Sequence, residues 1–305
     1  HPNIMRIAIT GSTGLVGTAL VSALQAAGHQ PVRLVRNPSD TPSGEIAHWQ
    51  PDSGAIDLAA LGEIDAVIHL AGENVAAGRW TAARKQRIEQ SRGPATEKLC
   101  RTLAGLPTPP KVIISASATG IYGDRDDEEL DEDSPVDATD SFLARVAREW
   151  ELATQPLNEI GARVVHLRIG VVLAPNGGAL SRMLLPFRMG LGGRLGSGDH
   201  WMSWITLHDL VRSIQHILAE ASLRGPVLAV SPTPISNRDF TRALGKALHR
   251  PTIFPVPSFA LRTLFGELAT ILLSSQRARP SRLLKSGFTF DHSDIDSGLA
   301  AMKLR

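Results

Sequence analysis

Three glycines near the start of the chain have the spacing of a nucleotide-binding turn. Gly11, Gly14 and Gly17 form a G-x-x-G-x-x-G pattern between two apolar segments, Met5–Thr10 and Leu15–Ala27. In such a turn the first glycine permits a tight bend, the second lets the backbone approach a pyrophosphate, and the third lets a helix pack against a strand. The positive end of the helix dipole then holds the phosphates. The predicted cofactor contacts in this loop are Gly11, Ser12, Thr13, Gly14, Leu15, Val16 and Gly17.

The second predicted strand ends in a basic residue and not in a carboxylate. Its last residues are Val35, Arg36 and Asn37. An NAD site usually has Asp or Glu at this point to accept a hydrogen bond from the ribose 2′-hydroxyl, whereas a guanidinium suits a 2′-phosphate. We therefore expect NADP(H) as the cofactor, with Arg36 as its 2′-phosphate ligand. The alternatives are a solvated charge at Arg36 and a glycine-rich turn that binds no ligand.

Short apolar segments alternate with helical patterns over the first 230 residues, as in a parallel sheet covered on both faces by helices. The predicted strands are Met5–Thr10, Val32–Arg36, Ile46–Gln50, Ala66–Ala71, Val112–Ser117 and Arg163–Leu173. The predicted helices between them are Leu15–Ala27, Thr81–Leu103 with an interruption at Gly93-Pro94, and Ser141–Thr154. This order predicts an α/β fold with a Rossmann-type, doubly wound parallel sheet and right-handed crossovers.

The pattern changes after Leu173, where glycine becomes frequent. Long loops in compact domains are usually functional, so we expect this part to form a smaller C-terminal lobe on the substrate side. Its predicted helices are Leu207–Ala221, Asn237–Leu248 (capped by Ser236), Phe259–Ser274 and Ile295–Met302. The predicted domains are a nucleotide-binding domain over residues 5–175 and a mixed lobe over residues 176–305, which also completes the sheet in part.

Composition excludes several classes of protein. The 305 residues carry 32 basic and 30 acidic side chains, a balance that does not favour nucleic acid as a partner. Cys100 is the only cysteine, which rules out an internal disulfide and suits a cytoplasmic location. The ten histidines form no metal-binding motif, so no metal is expected. No apolar run approaches the roughly 18 residues that cross a bilayer, so no membrane partner is expected either.

Several motifs later in the chain together resemble those of one protein family. They follow the predicted strands and the glycine-rich stretch: His69-Leu70-Ala71-Gly72-Glu73-Asn74, Arg79-Trp80-Thr81, Ser91-Arg92, Ser115-Ala116-Ser117-Ala118-Thr119-Gly120-Ile121-Tyr122-Gly123, Asp131-Glu132-Asp133-Ser134-Pro135, Trp150-Glu151, Gly177-Gly178, Leu185-Pro186-Phe187, Gly196-Ser197-Gly198, Trp204-Ile205, Ser275-Gln276-Arg277 and Gly287-Phe288. Together they resemble an atypical branch of the extended short-chain dehydrogenases/reductases. These are the NAD(P)-dependent "epimerase family" proteins, which carry a short C-terminal domain of unknown function and have sometimes been labelled cell-division inhibitors. The resemblance extends from Met5 to about Met302.

The resemblance implies further cofactor contacts outside the glycine loop. By matching motif these fall on Leu70, Ala71, Gly72, Arg92 and Val172. Without the resemblance, a surface arginine on an amphipathic helix would be the favoured interpretation of Arg92. The chain departs from the family pattern at His200, where glutamine is usual, and at Thr206, where histidine is usual.

The superfamily's usual proton relay is missing from this chain. Classical members of the superfamily have a tyrosine and a lysine in Y-x-x-x-K, in which the lysine lowers the pKa of the tyrosine. The corresponding positions here are Phe142 and Val146, and no lysine lies between Lys111 and Lys246. The chain's single tyrosine is Tyr122.

Two residues after the fifth strand remain as catalytic candidates. Tyr122 is expected to act as acid or base while Ser117 orients the substrate, although a tyrosine without its lysine should keep a pKa near ~10. The alternative is that both residues are structural. The acidic run Asp124–Asp133 beside them is read as a solvated loop, the alternative being a flap over the site.

Two functions follow from these features. The first is an NADP(H)-dependent oxidoreductase or epimerase-like enzyme that acts on an unidentified small carbonyl or hydroxyl compound. The second is an NADP(H)-binding sensor or regulatory protein without turnover. A nucleotide-sugar epimerase is less favoured, because transient oxidation of the sugar needs an efficient base. The chain is expected to be a monomer or a homodimer.

Overall fold

The computed structural model describes residues 4–37, 44–136 and 141–304. Up to residue 174 the elements are β1 (Arg6–Thr10), α1 (Leu15–Ala26), β2 (Gln30–Val35), β3 (Glu45–His48), α2 (Leu58–Leu61), β4 (Ala66–His69), α3 (Ala82–Ala104), β5 (Val112–Ala118), a 3₁₀ turn (Thr119–Tyr122), β6 (Glu129–Leu130), α4 (Phe142–Leu152), α5 (Gln155–Glu159), β7 (Arg163–Ile169) and β8 (Val171–Ala174).

The remaining elements belong mainly to the C-terminal lobe. They are α6 (Gly178–Arg188), β9 (Trp201–Met202), β10 (Trp204–Thr206), α7 (Leu207–Ala219), β11 (Gly225–Ala229), β12 (Ile235–Ser236), α8 (Asn237–Leu248), α9 (Ser258–Phe265), a 3₁₀ turn (Gly266–Leu268), α10 (Ala269–Leu273), β13 (Arg277–Ala278), α11 (Ser281–Lys285) and α12 (Ile295–Ala301).

Seven parallel strands form the central sheet in the order β11-β7-β5-β4-β1-β2-β3. Strand order reverses between β1 and β4, and ligands of open α/β sheets bind at this switch point, beyond the carboxyl ends of the strands. The order confirms the predicted Rossmann-type, doubly wound fold.

Helices cover both faces of the sheet, as its apolar strands require. On one face, Ile7 and Ile9 of β1 pack in a buried cluster with side chains of α1 and α7. On the other face, Ala8 points into a second cluster with side chains of α3. Helix α7 and strand β11, which lie after residue 175, therefore complete the nucleotide-binding layer.

Three local predictions were wrong. Helix α3 runs unbroken through Pro94, although proline removes one helical hydrogen bond; the preceding Gly93 lacks the Cβ that the proline ring would crowd. The predicted strand Arg163–Leu173 divides into β7 and β8 at Gly170, where a Cβ would lie 2.5 Å from the Ser203 carbonyl oxygen. The seventh strand, β11, was not predicted; it is short and begins with Gly225-Pro226, two residues that are uncommon inside strands.

The C-terminal lobe has its own apolar cluster around the buried residues Trp204 and Phe240. Helix α8 matches its predicted bounds, and the Ser236 hydroxyl caps it by accepting from the Asp239 amide. The predicted helix Phe259–Ser274 is two short helices, α9 and α10, joined by a 3₁₀ turn at Gly266.

Within the described ranges, no helix is both long and apolar enough to span a bilayer. The domain boundary at residue 175 stays a prediction, and Arg305 lies outside the described residues.

The outer edge of β11 is covered by polar side chains from elsewhere in the chain. The buried Glu132 carboxylate accepts from the Leu228 amide at 3.1 Å. The Arg282 guanidinium donates to the carbonyl oxygens of Arg224 and Pro226, at 3.0 and 2.9 Å. These bonds take up peptide groups that an edge strand would otherwise expose.

Candidate functional site

The glycine loop between β1 and α1 has a shape that only glycine allows. Gly11 has φ +66°, and a Cβ there would lie 2.8 Å from the Leu70 carbonyl carbon. A Cβ on Gly17 would lie 2.1 Å from the Gly11 carbonyl oxygen. The first turn of α1 is thereby held close to the end of β1, in the geometry that the sequence predicts for a pyrophosphate turn.

The amino end of α1 is available to an anion. Gly14 begins the helix without a side-chain cap, and the first turn contains no carboxylate. Beneath the loop, the Ser12 hydroxyl is buried and has no hydrogen-bond partner among the described residues. A buried polar atom without a partner points to a missing ligand or water. The residues present therefore fit a bound dinucleotide, whose phosphates would meet the amides after Gly14.

Arg33 in β2 and Arg36 directly after it lie in different environments. Arg36 is exposed at the strand end, where its carbonyl oxygen accepts from His48 Nε2 at 2.7 Å. Arg33 is buried, and its Nη1 donates to the Ser12 carbonyl oxygen at 2.8 Å. Arg36 thus has the exposure that a 2′-phosphate ligand needs, while Arg33 supports the loop from below. Sequence reasoning missed Arg33, although a charge inside an apolar strand was a visible signal.

His69, the last residue of β4, ties β4 to β1 and α3. The Thr10 hydroxyl accepts from the amides of Leu70 and Ala71, so its own proton is donated to His69 Nδ1 at 2.7 Å. His69 Nε2 then carries the ring proton and donates to Thr96 Oγ1 at 2.8 Å. Burial lowers the pKa of His69 to about 4, and the charge of Arg92 adds to this effect. The imidazole is therefore neutral, and it fixes the backbone of the predicted adenine contacts Leu70 and Ala71.

Arg92 of α3 supports the next residues of that loop. Its Nη1 donates to the Glu73 carbonyl oxygen at 2.9 Å, and its guanidinium carbon lies 4.8 Å from the Trp150 ring centroid. Burial lowers the pKa of Arg92 to about 10, against the opposing charge of Glu73, so the group stays cationic at neutral pH. A Cβ on Gly72 would lie 3.2 Å from the guanidinium carbon. Contact of Arg92 with a phosphate stays a prediction.

Val172 and the Gly177-Gly178 turn approach the glycine loop from the other side. A Cβ on Gly177 would lie 2.9 Å from Leu15 Cδ1, and one on Gly178 would lie 3.2 Å from the Val172 carbonyl oxygen. Four of the five predicted cofactor-binding segments therefore meet at the switch point of the sheet: the glycine loop, residues 70–72, Arg92 and Val172.

The catalytic candidates Ser117 and Tyr122 belong to one hydrogen-bonded network. Ser117 Oγ donates to Glu151 Oε1 at 2.8 Å. Arg168 binds both oxygens of Glu151, at 2.8 and 2.9 Å, and donates from Nη1 to the Tyr122 hydroxyl at 2.8 Å. Tyr122 in turn donates to the Asp131 carbonyl oxygen at 2.9 Å. Burial opposes charge on Glu151, but Arg168 holds the pKa of the carboxyl below its usual range.

The contacts of Tyr122 oppose its predicted acid–base role. The side chain has no exposed surface, and burial raises its pKa to about 12 although the charge of Arg168 opposes this shift. Its hydroxyl proton is already donated to the backbone, which makes the residue a structural link. Ser117 is buried as well, and its proton is committed to Glu151.

Phe142, which stands where the family's tyrosine is expected, starts α4. The centroid of its ring lies 5.0 Å from the centroid of the Trp80 ring and 5.2 Å from Lys85 Nζ. Lys85 also pairs with Glu267 of the C-terminal lobe. The short helices after residue 257 therefore contact the start of α3 beside this position.

The acidic run is not simply a solvated loop, which corrects that prediction. Asp124 Oδ1 accepts from the Ser275 amide at 2.9 Å, Asp127 Oδ1 accepts from Trp201 Nε1 at 2.7 Å, and Glu132 is buried against β11. The acidic run therefore joins the loop after β5 to the C-terminal lobe.

The pKa of His200 nearby is lowered by burial, and its Nε2 has no partner among the described residues.

His208, Asp209 and Asp291 bring three ligand-type atoms together on the lobe's surface. Arg212 Nη1 lies 2.8 Å from Asp209 and 3.4 Å from Asp291, so a cation is already present in the chain itself. This arrangement is an ion-pair cluster and does not call for a metal.

Comparison with known proteins agrees with this geometry. Residues 7–229 match the family model described as "NAD dependent epimerase/dehydratase family", and residues 256–302 match a domain of unknown function. An epimerase family protein of Mycobacterium bovis is 46% identical over 297 residues, covering 96% of each chain. The crystal structure of human epimerase family protein SDR39U1 with NADPH superposes with a TM-score of 0.88 at 32% identity, covering 98% of this chain and 99% of that one.

A second solved structure extends the comparison. The nucleoside-diphosphate sugar epimerase from Corynebacterium glutamicum is 36% identical with a TM-score of 0.80, and the match covers 99% of this chain but 58% of that one. The glycine loop, the sheet order and the full-length matches all lead to the same assignment. The chain belongs to the NAD dependent epimerase/dehydratase family, in the branch of epimerase family proteins that end in a domain of unknown function.

Proposed function

We propose that this protein is an NADP(H)-dependent oxidoreductase that acts on a small carbonyl or hydroxyl compound. The observation that carries the proposal is the uncapped glycine loop with the exposed Arg36, and no carboxylate, at the adjoining end of β2. The similar human structure was crystallised with NADPH, which supports the choice of cofactor.

The chain's residues divide the binding of the cofactor among them. The amides that follow Gly14 would receive the pyrophosphate, and Arg36 would pair with the 2′-phosphate. Leu70 and Ala71 would lie against the adenosine, because the Thr10 hydroxyl fixes their amides. The cofactor would supply a hydride to a carbonyl carbon, and a proton must then reach the carbonyl oxygen.

The source of that proton differs from the family's usual one. Tyr122 is buried and hydrogen-bonded at both its donor and its acceptor positions, and Phe142 has no hydroxyl. Ser117 donates to Glu151, so toward a substrate it would act as a hydrogen-bond acceptor. We expect the proton to come from water or from the substrate itself, and turnover to be slow in consequence.

The first test is a fluorescence titration with NADPH and with NADH. We expect at least tenfold tighter binding of NADPH, about 1.4 kcal/mol, and loss of this preference in Arg36→Ala. Arg101→Ala is the matched control, because Arg101 is exposed in the last turn of α3, which leads into the amino end of β5, whereas Arg36 follows the carboxyl end of β2. Equal affinity for the two dinucleotides in the unmodified protein would refute the assignment of NADP(H).

A binding protein without turnover is the second candidate, favoured by the closed network around Tyr122. The two candidates differ in whether hydride leaves the cofactor. NADPH deuterated at C4 of the nicotinamide, incubated with a panel of aldehydes and ketones, should yield a deuterated alcohol if the protein is a reductase. NADPH binding with no label transferred to any compound would favour the sensor.

A nucleotide-sugar epimerase is a weaker candidate. The similarity to the nucleoside-diphosphate sugar epimerase from Corynebacterium glutamicum supports it, but a sugar oxidised and reduced in one site needs a base within reach. The buried, doubly bonded Tyr122 does not supply one.

A further inference from the structure

Six large apolar side chains form one exposed surface on the C-terminal lobe. They come from the end of α6, the loop after it and the segment that leads into α9: Leu185, Met189, Leu191, Ile253, Phe254 and Phe259. Each has 60% to 74% of its surface exposed. Single exposed apolar residues are ordinary, but a contiguous group of this size marks an interaction site.

Backbone contacts hold the two contributing segments side by side. The amide of Val256 donates to the Arg194 carbonyl oxygen at 2.8 Å, and the amide of Gly196 donates to the Val256 carbonyl oxygen at 2.8 Å. Gly193 lies so close to Phe254 that a Cβ would be 1.7 Å from its carbonyl oxygen. The six side chains therefore belong to one surface, which we term the apolar-basic face.

Basic side chains predominate around this face, because the carboxylates that border it, Asp199, Asp239 and Glu267, are each paired with an arginine or a lysine. Residues 178–198 and 240–266 contain seven Arg and Lys residues and no Asp or Glu, although the whole chain is almost neutral. Four of the seven, Arg188, Arg194, Arg250 and Arg262, come from the same loops and helix ends as the apolar residues and are exposed. Arg250 Nε also donates to the Arg188 carbonyl oxygen at 2.7 Å, which joins the two basic segments.

We propose that the apolar-basic face binds the surface of a bilayer that contains anionic phospholipids. Phenylalanine and aliphatic side chains enter the boundary between headgroups and acyl chains, while guanidinium groups on long stems remain at the phosphates. Each basic residue near an anionic surface adds to the attraction. A bilayer supplies negative charge without fixed positions, which suits arginines spread over two loops and a helix better than a protein partner with a few set carboxylates.

This attachment needs no membrane-spanning segment and is independent of the proposed function. The test is co-sedimentation of the full chain with vesicles of phosphatidylcholine alone, or of phosphatidylcholine with 30% phosphatidylglycerol. We expect binding to the anionic vesicles only, weakened at 0.5 M salt because of screening.

Two variants separate the apolar from the charged contribution. Phe254→Ser/Phe259→Ser should abolish sedimentation, and Arg194→Gln/Arg262→Gln should weaken it about thirtyfold. The matched control for the first is Leu152→Ser/Ile160→Ser, because these residues are also exposed but belong to the end of α4 and the residue after α5, outside the apolar-basic face. Thermal unfolding by circular dichroism checks that every variant is folded.

Three outcomes would overturn the proposal. One is an absence of binding to anionic vesicles, and another is binding that the face variants and the control variant reduce equally. The third is a dimer, detected by light scattering, that Phe254→Ser/Phe259→Ser converts to a monomer while no vesicle binding is seen. That result would assign the face to contact between two copies of the chain.

Discussion

Arg168 and Glu151 face each other beneath the end of β5, where two nitrogen atoms of the guanidinium contact the two carboxylate oxygens at 2.8 and 2.9 Å. The pair also holds Ser117 through the carboxylate and Tyr122 through the remaining guanidinium nitrogen. One buried ion pair therefore fixes the whole loop that follows β5, at the point where a substrate would meet the cofactor.

Removing the cation of this pair should destabilise the fold severely. Arg168→Met leaves the Glu151 carboxylate buried without its partner, for which we expect a loss of about 3–5 kcal/mol in the free energy of unfolding. Urea denaturation measures this. The exposed pair of Arg101 and Glu97 provides the control, since Arg101→Met should cost about 1 kcal/mol or less. Equal losses in the two variants would show that the buried pair has no special role.

Tyr122→Phe should change stability more than chemistry. The variant removes a hydroxyl that donates to Asp131 and accepts from Arg168, at a cost of about 1–3 kcal/mol. We expect NADPH affinity, and turnover of any substrate that the labelling experiment identifies, to stay within a few-fold of the unmodified protein. A hundredfold loss of turnover without loss of stability would instead restore Tyr122 as the acid or base.

Acid should weaken the fold through His69. Its pKa is lowered from 6.5 to about 4 by burial, so below pH 6.5 the unfolded chain takes up a proton that the folded chain does not. Stability therefore falls as the pH drops from 6.5 to 4, by a total on the order of 3 kcal/mol. The difference in unfolding free energy between the protein and His69→Gln, measured at several pH values, should change across this window. A difference that stays constant from pH 7 to pH 4 would contradict the prediction.

Gly17→Ala should disrupt the cofactor loop. The added Cβ would lie 2.1 Å from the Gly11 carbonyl oxygen, so either the loop or α1 has to move. We expect at least a hundredfold loss of NADPH affinity by fluorescence titration, together with a lower melting temperature. Gly78→Ala is the control, because nothing lies within 4 Å of a Cβ at that position. Undiminished NADPH affinity in Gly17→Ala would mean that the cofactor does not use this loop.

The sheet and the glycine loop could be predicted because their signals are local. The pattern of neighbouring residues indicates apolar strands and amphipathic helices, and Gly11, Gly14 and Gly17 lie close together in the sequence. The unbroken α3 was not predicted, because a proline inside a helix loses one backbone hydrogen bond and usually interrupts the helix.

The network around the candidate site could not be predicted in the same way. Tyr122 meets Arg168 across 46 residues, and Glu132 meets Leu228 across 96. Such partners are selected by packing in three dimensions, and no spacing rule identifies them. Tyr122 is a catalytic candidate from its position after β5, whereas its contacts with Asp131 and Arg168 favour a structural role.

The side chains of Glu132 and Arg282 that cover the outer edge of β11 also prevent this strand from pairing with a strand of a second copy. If Arg282 and the residues around it were removed, the outer peptide groups of the edge strand β11 would face water. A strand from another copy of the chain could then pair with β11. The C-terminal segment therefore protects the nucleotide-binding sheet against edge-to-edge aggregation, in addition to any part it plays at the substrate side. Shortened forms of this protein that end before β13 should be expected to associate through that strand.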